Sequence, residues 1–307
     1  MMRTLVLSVL LLACAWGCSS SKNASSTYVP IHTEQDSLVY WNNFSSRYVS
    51  ARNVEVWLPA GYHAGSKQPY KLLIVHDGQN VFNATTSFTG VDWGVDETLG
   101  QLIANGTCSP TIVVAVWNSG NARSAEYLPN VPGLVGVNQD ATRRIRMVSQ
   151  ADSAWSDNYL RFLTLELLPQ VRRSFHVSGK AEDTFIMGSS MGGLISLYAM
   201  TEYPLVFGGA ACLSTHWVPT TTPSDVFLNY LDANLPSAAR HKIYFDYGDA
   251  GKDSTYRPEQ LRVDSVFLRH GYFDGANYVS RYFPGADHNE AAWRARVDKP
   301  LLFLLRK

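Results

Sequence analysis

The sequence predicts a single α/β domain built on a mostly parallel, doubly wound sheet. Short apolar runs typical of buried strands alternate with segments of helical spacing along residues 30–307. No Pro- or Gly-rich linker divides that range, so we expect one domain. Basic and acidic residues number 26 each, and the net charge is zero. This balance argues against a nucleic-acid groove or an anionic membrane surface as the main partner, because both require a positive field.

The first 29 residues are predicted to be an export signal and a tether. Arg3 precedes an apolar run over residues 4–16, which has the length of a signal-peptide core. That run is too short to span a bilayer, which needs about 20 residues. We therefore expect a lipoprotein-type signal peptide over 1–18, a tether over 19–29, and export from the cell.

Cys18 is the predicted lipidation site. It follows Gly17 and precedes a run of serines, an arrangement that resembles a bacterial lipoprotein processing site. Cys14 is a competing position, and an ordinary secretory signal is the alternative interpretation. The expected location is the periplasm or the outer membrane of a bacterium, with membrane contact only through the N-terminal lipid.

Strands and helices alternate through the body of the chain. The predicted strands are continuous apolar or alternating runs, and the predicted helices have apolar residues at helical spacing. Strands are predicted over 53–59, 70–76, 111–117, 184–188, 207–213, 242–247 and 277–283, and helices over 93–105, 156–175, 190–202, 224–233, 257–270 and from about 289. Residues 118–155 lack periodicity, and we expect them to cross the carboxyl edge of the sheet, where α/β proteins bind ligands.

The cysteines allow at most one disulfide in the domain. Cys14 and Cys18 lie in the signal region, which leaves Cys108 after a loop signal and Cys212 in an apolar strand. The sequence leaves open whether Cys108 and Cys212 are paired. It contains no CxxC and no cluster of His and Cys, so neither a structural zinc site nor another metal site is expected.

Ser190 is the candidate nucleophile. Gly188–Gly192 fits the G-x-S-x-G pattern, with a predicted strand before it and a predicted helix after it. A serine on such a tight turn is exposed at the sheet edge, and the helix N-terminus beside it supplies free N–H groups for a developing oxyanion. Ser189 does not fit, because the two glycines bracket Ser190.

His288 is the candidate general base. A serine nucleophile needs a base oriented by an acid, and after this strand-turn-helix motif the order is serine, acid, histidine. Three histidines follow Ser190. His241 precedes a strand and His270 ends a helix, whereas His288 lies between the last strand and the last helix, at the carboxyl edge of the sheet.

The sequence resembles the esterase family of α/β-hydrolases, which includes feruloyl and acetylxylan esterases, enterochelin-type siderophore esterases, S-formylglutathione hydrolases and mycolyltransferases. The resemblance covers roughly residues 50–305 and rests on motifs that recur in the family's order. These motifs are HDGQNVF (76–82), VDWGVDETL (91–99), the segment 123–129, GSSMGGLISLYA (188–199), YFDYG (244–248) and HNEAAW (288–293). The resemblance implies an α/β-hydrolase fold and a Ser-His-Asp triad, with no cofactor.

The resemblance also implies which groups surround the nucleophile. The backbone N–H groups of Met191 and Gln79 are expected to form the oxyanion hole. The orienting acid is expected in the loop after the strand KIYFDY, at Asp253 by comparison with the relatives closest in pattern, with Asp249 as the alternative. Asp246, inside the strand, is expected to be structural.

Three further residues are candidates for the substrate pocket. The family places an aromatic beside the acyl pocket at the position of Trp217, and Trp93 is a second aromatic near the cleft. Arg123 is expected either to contact substrate or to pair with Glu126 and hold the long loop. His76 precedes the serine and is expected to be structural.

The expected activity is hydrolysis of a carboxylic ester through an acyl-enzyme, with a polysaccharide acyl ester or a related small ester as substrate. An acyltransferase or a catecholate siderophore esterase would use the same triad. A non-catalytic surface-binding protein on a hydrolase scaffold is the alternative from another class. The acyl group, the alcohol and the oligomeric state are not determined by the sequence.

Overall fold

An eight-stranded sheet organises the protein, and the computed structural model describes residues 37–134, 154–217 and 223–307. The strands are β1 (Ser37–Phe44), β2 (Arg52–Leu58), β3 (Lys71–His76), β4 (Thr111–Val116), β5 (Thr184–Ser189), β6 (Gly209–Leu213), β7 (Lys242–Tyr247) and β8 (Tyr278–Tyr282). Their order across the sheet is β1-β2-β4-β3-β5-β6-β7-β8. The β1–β2 and β2–β4 pairs are antiparallel and the remaining pairs are parallel, which confirms the predicted mostly parallel sheet.

Both faces of the sheet are covered, as the apolar strands predicted. Successive side chains of a strand point to opposite faces. In β3, Leu72 and Ile74 join the larger apolar cluster on one face, while Leu73 and Val75 join the cluster on the other. All four side chains are fully buried. A strand buried on both faces therefore shows as a continuous apolar run in the sequence.

β1 is a strand that the sequence analysis did not predict. It lies at the edge of the sheet and pairs only with β2. Of its eight residues only Val39 and Trp41 are buried. An edge strand with one half-covered face carries no continuous apolar run, so its pattern was too weak to detect.

The helices are α1 (Val95–Ala104), α2 (Arg123–Tyr127), α3 (Ser156–Arg161), α4 (Leu168–Ser174), α5 (Met191–Glu202), α6 (Pro223–Asn234), α7 (Arg257–Arg269), α8 (Glu290–Arg294) and α9 (Asp298–Leu305). A π-helical turn, Phe162–Leu167, separates α3 from α4, where the sequence predicted one helix over 156–175. The chain stays helical through this turn, so the predicted helix is present over 156–174; Pro169, which has no N–H to donate to the carbonyl four residues earlier, follows the π turn. The final predicted helix is divided into α8 and α9, and Pro300 lies in the first turn of α9, where a missing N–H costs no intrahelical hydrogen bond.

The two cysteines of the described domain are free and buried. Cys108 belongs to the apolar cluster on one face of the sheet, and Cys212 belongs to the cluster on the other. The sheet separates them, so the disulfide that the sequence allowed is not formed.

The N-terminal predictions concern residues that the structure does not describe. The signal peptide over 1–18, the tether over 19–29 and Cys18 lie outside the described ranges. Within those ranges, no helix has both the length and the apolar character needed to cross a bilayer.

Candidate active site

The carboxyl ends of four parallel strands carry the candidate residues to one edge of the sheet. β3 ends before Asp77, β5 before Ser190, β6 before Ser214 and β7 before Gly248. Because these strands are parallel neighbours, the loops that follow them lie side by side. The long segment predicted over 118–155 is described at its ends, and its Arg123 reaches this same edge through a contact with Asp77.

Ser190 lies on a strained turn between β5 and α5. Its backbone has φ 57° and ψ −123°, a conformation that non-glycine residues rarely adopt. A Cβ at Gly188 would lie 2.6 Å from the backbone of Gly192, so this close approach requires glycine. Ser190 is partly exposed, whereas Ser189 is 3% exposed within β5. The turn therefore leaves Ser190 accessible to a ligand, whereas Ser189 is buried.

The two amides expected to form an oxyanion hole lie at or near the starts of helical segments. Met191 is the first residue of α5, where an N–H has no intrahelical acceptor and the helix dipole is positive. Gln79 lies in the 3₁₀ turn Gly78–Asn80, directly after β3. The side-chain oxygen of Gln79 accepts a hydrogen bond from the Asn118 N–H at 3.3 Å, which ties this turn to the loop after β4.

A buried ion pair holds the turn that carries Gln79. Arg123 Nε and Nη2 donate to Asp77 Oδ1 and Oδ2 at 2.6 and 2.7 Å, and Asn118 Nδ2 donates to Oδ1 at 2.8 Å. Asp77 has a left-handed backbone, with φ 56°. Burial opposes its ionisation, but the Arg123 charge and these hydrogen bonds outweigh burial and hold the pKa of Asp77 below its usual value.

The expected pairing of Arg123 with Glu126 is wrong. Arg123 pairs with Asp77, and Glu126 accepts from Arg52 Nη2 and Nη1 at 2.7 and 2.9 Å. The Arg52 and Glu126 side chains are each 2% exposed. Arg123 and Glu126 thus belong to two different ion pairs, and the partner of Arg123 lies in the turn after β3.

His288 and Asp253 are in direct contact. His288 Nδ1 lies 2.6 Å from Asp253 Oδ1, and Asp253 is fully buried. Its other oxygen accepts from the Gly248 N–H at 2.7 Å and from Ser214 Oγ at 2.5 Å. Burial opposes the charge on Asp253, but the hydrogen bonds from His288, Ser214 and Gly248 outweigh it and lower the pKa of the carboxyl. An ionised acceptor at Nδ1 fixes the imidazole with Nε2 directed away from Asp253.

The two other carboxyls near this loop have different partners. Asp249 is exposed, and it accepts from the Tyr282 hydroxyl and from the Gly285 N–H. Asp246 lies inside β7, fully buried, and accepts from Arg296 Nη2 at 3.0 Å. Burial raises the pKa of Asp246 despite that arginine. Of the candidate acids, only Asp253 contacts His288.

Ser214 links the His288–Asp253 pair to the side chains of Trp293 and Arg296, and the sequence analysis did not single it out. Ser214 Oγ donates to Asp253 and accepts from Trp293 Nε1 and Arg296 Nη2 at 3.0 and 2.9 Å. Its backbone has φ 42°, a left-handed conformation that turns the chain immediately after β6. Its position directly after a parallel strand is the signal that could have identified it.

Tyr256 lies beside both Ser190 and His288. Its ring contacts the His288 ring edge-on with the centroids 5.6 Å apart, and its hydroxyl interacts with the Ser190 side chain. His216 Nδ1 lies 2.8 Å from the same hydroxyl. Within the described ranges His288 has no hydrogen bond to Ser190; catalytic hydrogen bonds are often long in substrate-free proteins. Sequence reasoning missed Tyr256, because nothing local distinguishes it from a core tyrosine.

The candidate pocket aromatics are packed in the core. Trp93 is fully buried against Trp293, with ring centroids 5.7 Å apart. Trp217 is 4% exposed, and its Nε1 donates to Gln260 Oε1 at 2.9 Å. Both rings are thus almost entirely enclosed by the described part of the chain. His76 is structural in position, since it is fully buried against Tyr159 and burial lowers its pKa to about 3, which keeps it neutral.

Solved structures of known proteins share this fold. A ferulic acid esterase superposes with a TM-score of 0.61 at 17% identity, covering 88% of this chain and 98% of that one. The Shigella flexneri enterobactin esterase solved in the presence of enterobactin gives 0.61 at 20% identity, covering 90% and 59%. A ferulic acid esterase from Anaeromyces mucronatus in complex with ferulic acid gives 0.58 at 17%, covering 88% and 91%. At these identities the likeness establishes the fold.

Sequence comparison gives the family. The uncharacterized protein YbbA of Bacillus subtilis (strain 168) is 31% identical over 61 residues, so the match spans 20% of this chain and 24% of that protein. A family model described as "Putative esterase" matches residues 45–304, which is most of the chain. The chain therefore belongs to this esterase family.

Proposed function

We propose that the protein is a serine carboxylesterase in which Ser190 is the nucleophile, His288 the general base and Asp253 the orienting acid. The observation that carries this proposal is the buried 2.6 Å contact between Asp253 and His288 at the sheet edge that bears Ser190 on a strained turn. A serine, a histidine and a buried acid in this chain order are the components of a nucleophilic triad. Membership of the esterase family supports the same reaction class.

In the proposed acylation step, Ser190 Oγ attacks the ester carbonyl and His288 Nε2 takes the serine proton. The electron pair of the carbonyl π bond moves to its oxygen, where the amides of Met191 and Gln79 stabilise the charge. Each such donor contributes about 3–4 kcal/mol to lowering the barrier. The tetrahedral intermediate then collapses, the C–O bond to the alcohol breaks, and His288 protonates the departing oxygen.

Deacylation repeats the sequence with water as the nucleophile. His288 removes a proton from water, hydroxide attacks the acyl carbon, and the proton passes to Ser190 as the acid is released. Asp253 stays ionised throughout and stabilises the imidazolium, consistent with the lowered pKa of its carboxyl.

An uncharged acyl ester of a polysaccharide, or a related small ester, is the proposed substrate class. The net charge of zero provides no long-range field to concentrate a polyanion. Among the proteins of similar fold, one structure contains ferulic acid and another was solved in the presence of enterobactin. A substrate panel should therefore compare esters related to ferulic acid with esters related to enterobactin.

A fluorophosphonate probe tests the proposed nucleophile directly. The probe should label the protein on Ser190, located by peptide mass spectrometry, and Ser190→Ala should abolish labelling and lower kcat by several orders of magnitude. Ser189→Ala is the matched control, because Ser189 is buried in β5, and it should keep labelling. Absence of labelling in the folded wild-type protein would contradict catalysis and favour a non-catalytic binding protein.

A substrate panel tests the proposed class. p-Nitrophenyl acetate, methyl ferulate, acetylated xylan and a catecholate trilactone would be compared by kcat/KM, with and without a sugar acceptor. We expect acetyl or feruloyl esters to be the best substrates. Faster turnover of the trilactone would assign the protein to siderophore hydrolysis, and transfer of the acyl group to the sugar would identify an acyltransferase.

We also propose export with a lipid on Cys18, from the sequence pattern of the N-terminus. Mass spectrometry of the protein expressed in a bacterium should find a mature chain that begins at Cys18 and carries a diacylglycerol. An unmodified N-terminus at another residue would contradict this proposal.

A further inference from the structure

Tyr256 occupies a position that the proposed triad does not explain. It joins the 3₁₀ turn Gly251–Thr255, which contains Asp253, to helix α7. The residue is 2% exposed, so its polar group is buried at the sheet edge. Its hydroxyl contacts the Ser190 side chain, and its ring lies edge-on against His288. The Tyr256 side chain therefore adjoins both residues between which the proton is proposed to move, Ser190 through its hydroxyl and His288 through its ring.

His216 is a second partner of that hydroxyl. Its Nδ1 is 2.8 Å from the Tyr256 oxygen, and the two rings meet edge-on with their centroids 6.0 Å apart. The His216 backbone N–H donates to the Ser190 carbonyl at 3.1 Å. His216 is thus hydrogen-bonded to the backbone of Ser190 and to the Tyr256 hydroxyl, and it holds Tyr256 in a fixed position relative to Ser190.

An ester bound at Ser190 would be contacted on two sides. The Met191 and Gln79 amides, which belong to α5 and to the turn after β3, are the donors proposed for the carbonyl oxygen. The alcohol oxygen must instead approach His288, which protonates it. Because the Tyr256 ring packs against His288 and its hydroxyl interacts with Ser190, the side chain lies on the His288 side of the nucleophile.

We propose that Tyr256 donates a hydrogen bond to the alcohol oxygen of the ester as the C–O bond breaks, and that His216 is the positioning residue that directs this donor. This inference rests on the proposed esterase function. As the bond breaks, its electron pair passes to the alcohol oxygen, which receives its proton from His288. Tyr256 keeps its own proton and stabilises the developing charge, while its oxygen accepts from His216 Nδ1–H. Burial raises the pKa of Tyr256, which keeps the phenol protonated as a donor.

The dependence on leaving group distinguishes this role from a structural one. A nitrophenolate departs without help, whereas an alkoxide needs stabilisation until it is protonated. Tyr256→Phe should therefore lower kcat/KM for ethyl acetate about 10- to 100-fold, and for p-nitrophenyl acetate by no more than about threefold. kcat/KM is the correct quantity because it includes departure of the alcohol.

Three further variants complete the experiment. His216→Leu should show the same selective loss, and the Tyr256→Phe/His216→Leu double variant should be no worse than Tyr256→Phe alone. Tyr272→Phe is the matched control, because Tyr272 is also a buried tyrosine, with its hydroxyl bonded to the Pro236 carbonyl at 3.1 Å. It should leave the ratio of the two kcat/KM values unchanged.

The outcomes separate this inference from the proposed function. Equal losses on both esters in Tyr256→Phe and His216→Leu would overturn the inference and leave the esterase function standing. A gain on both esters would also overturn it, since Tyr256 would then restrain Ser190 in the free enzyme. If the folded wild-type protein hydrolyses neither ester and resists the fluorophosphonate, the proposed function fails and this inference fails with it.

Discussion

Replacing Arg123 by alanine tests whether one ion pair holds the turn that carries Gln79. The Asp77 side chain is 4% exposed and the Arg123 side chain 26% exposed. Removing one partner of a buried pair costs about 3–5 kcal/mol, because it leaves a buried charge without compensation. Asn118 keeps its hydrogen bond to Asp77, and Arg123 is already partly hydrated. We therefore expect the lower end of that range, a loss of about 3 kcal/mol in the free energy of unfolding.

The loss should depend on pH in a direction that the Asp77 environment determines. In the wild-type protein the pKa of Asp77 is lowered against the effect of burial, so its ionisation stabilises the fold above its unfolded pKa. That contribution disappears as pH falls through the folded value. Without Arg123, burial raises the pKa of Asp77, and the carboxyl protonates at higher pH. The difference in stability between wild type and Arg123→Ala should be largest near pH 7 and smaller by about pH 5.

Catalysis should fall as well, because Gln79 follows Asp77 by two residues. Displacing one oxyanion donor typically costs about 10²–10³ in kcat, and partial displacement should give a loss of about 10- to 100-fold with little change in KM. Urea unfolding would measure stability, and hydrolysis of p-nitrophenyl acetate would measure kcat.

Two comparisons can refute this reasoning. Asp77→Asn/Arg123→Leu removes both charges, so it should be more stable than Arg123→Ala. Arg47→Ala is the control for an exposed ion pair, since the Arg47 side chain is 81% exposed, and it should cost less than about 1 kcal/mol. If Arg123→Ala is no more destabilising than Arg47→Ala, or the double variant is no more stable than Arg123→Ala, the Asp77 ion pair does not anchor this turn.

Three further predictions concern the nucleophile turn and the acid. Asp253→Asn should lower kcat about 10⁴-fold by stabilising the wrong imidazole tautomer, whereas Asp249→Asn should cost little; the reverse ranking in steady-state kinetics would move the acid to Asp249. Ser214→Ala should lower the free energy of unfolding by about 1–3 kcal/mol, because it leaves buried donors unpaired, and an unchanged urea midpoint would contradict this. Gly188→Ala should prevent stable folding or abolish activity because of its 2.6 Å clash, while Gly100→Ala, with 3.7 Å to its nearest neighbour, should be tolerated in thermal unfolding.

Features formed by groups close together in the chain could be predicted from the local pattern. Contacts between groups far apart in the chain could not. The turn at Ser190 could be predicted because its signal is local: two glycines, a strand before and a helix after. The partner of Arg123 could not, because the sequence offers a carboxylate three residues away at Glu126. The true partner, Asp77, is 46 residues away and meets Arg123 only because β3 and β4 are neighbours in the sheet. The pairing of His216 with Tyr256, 40 residues apart, is hidden for the same reason.

The steric and electrostatic constraints in the loop after β7 favour Asp253 as the acid, the residue that the family resemblance also implied. Position 251, three residues after Gly248, holds a glycine and not an acid. Gly251 has φ +54°, and a Cβ on it would lie 2.0 Å from an Asp287 carboxylate oxygen. An aspartate at 251 would therefore be strained in its backbone and would collide with a second carboxylate. Two residues later, Asp253 has three hydrogen-bond partners, Ser214 Oγ, the Gly248 N–H and His288 Nδ1, so an acid at this position has its charge compensated.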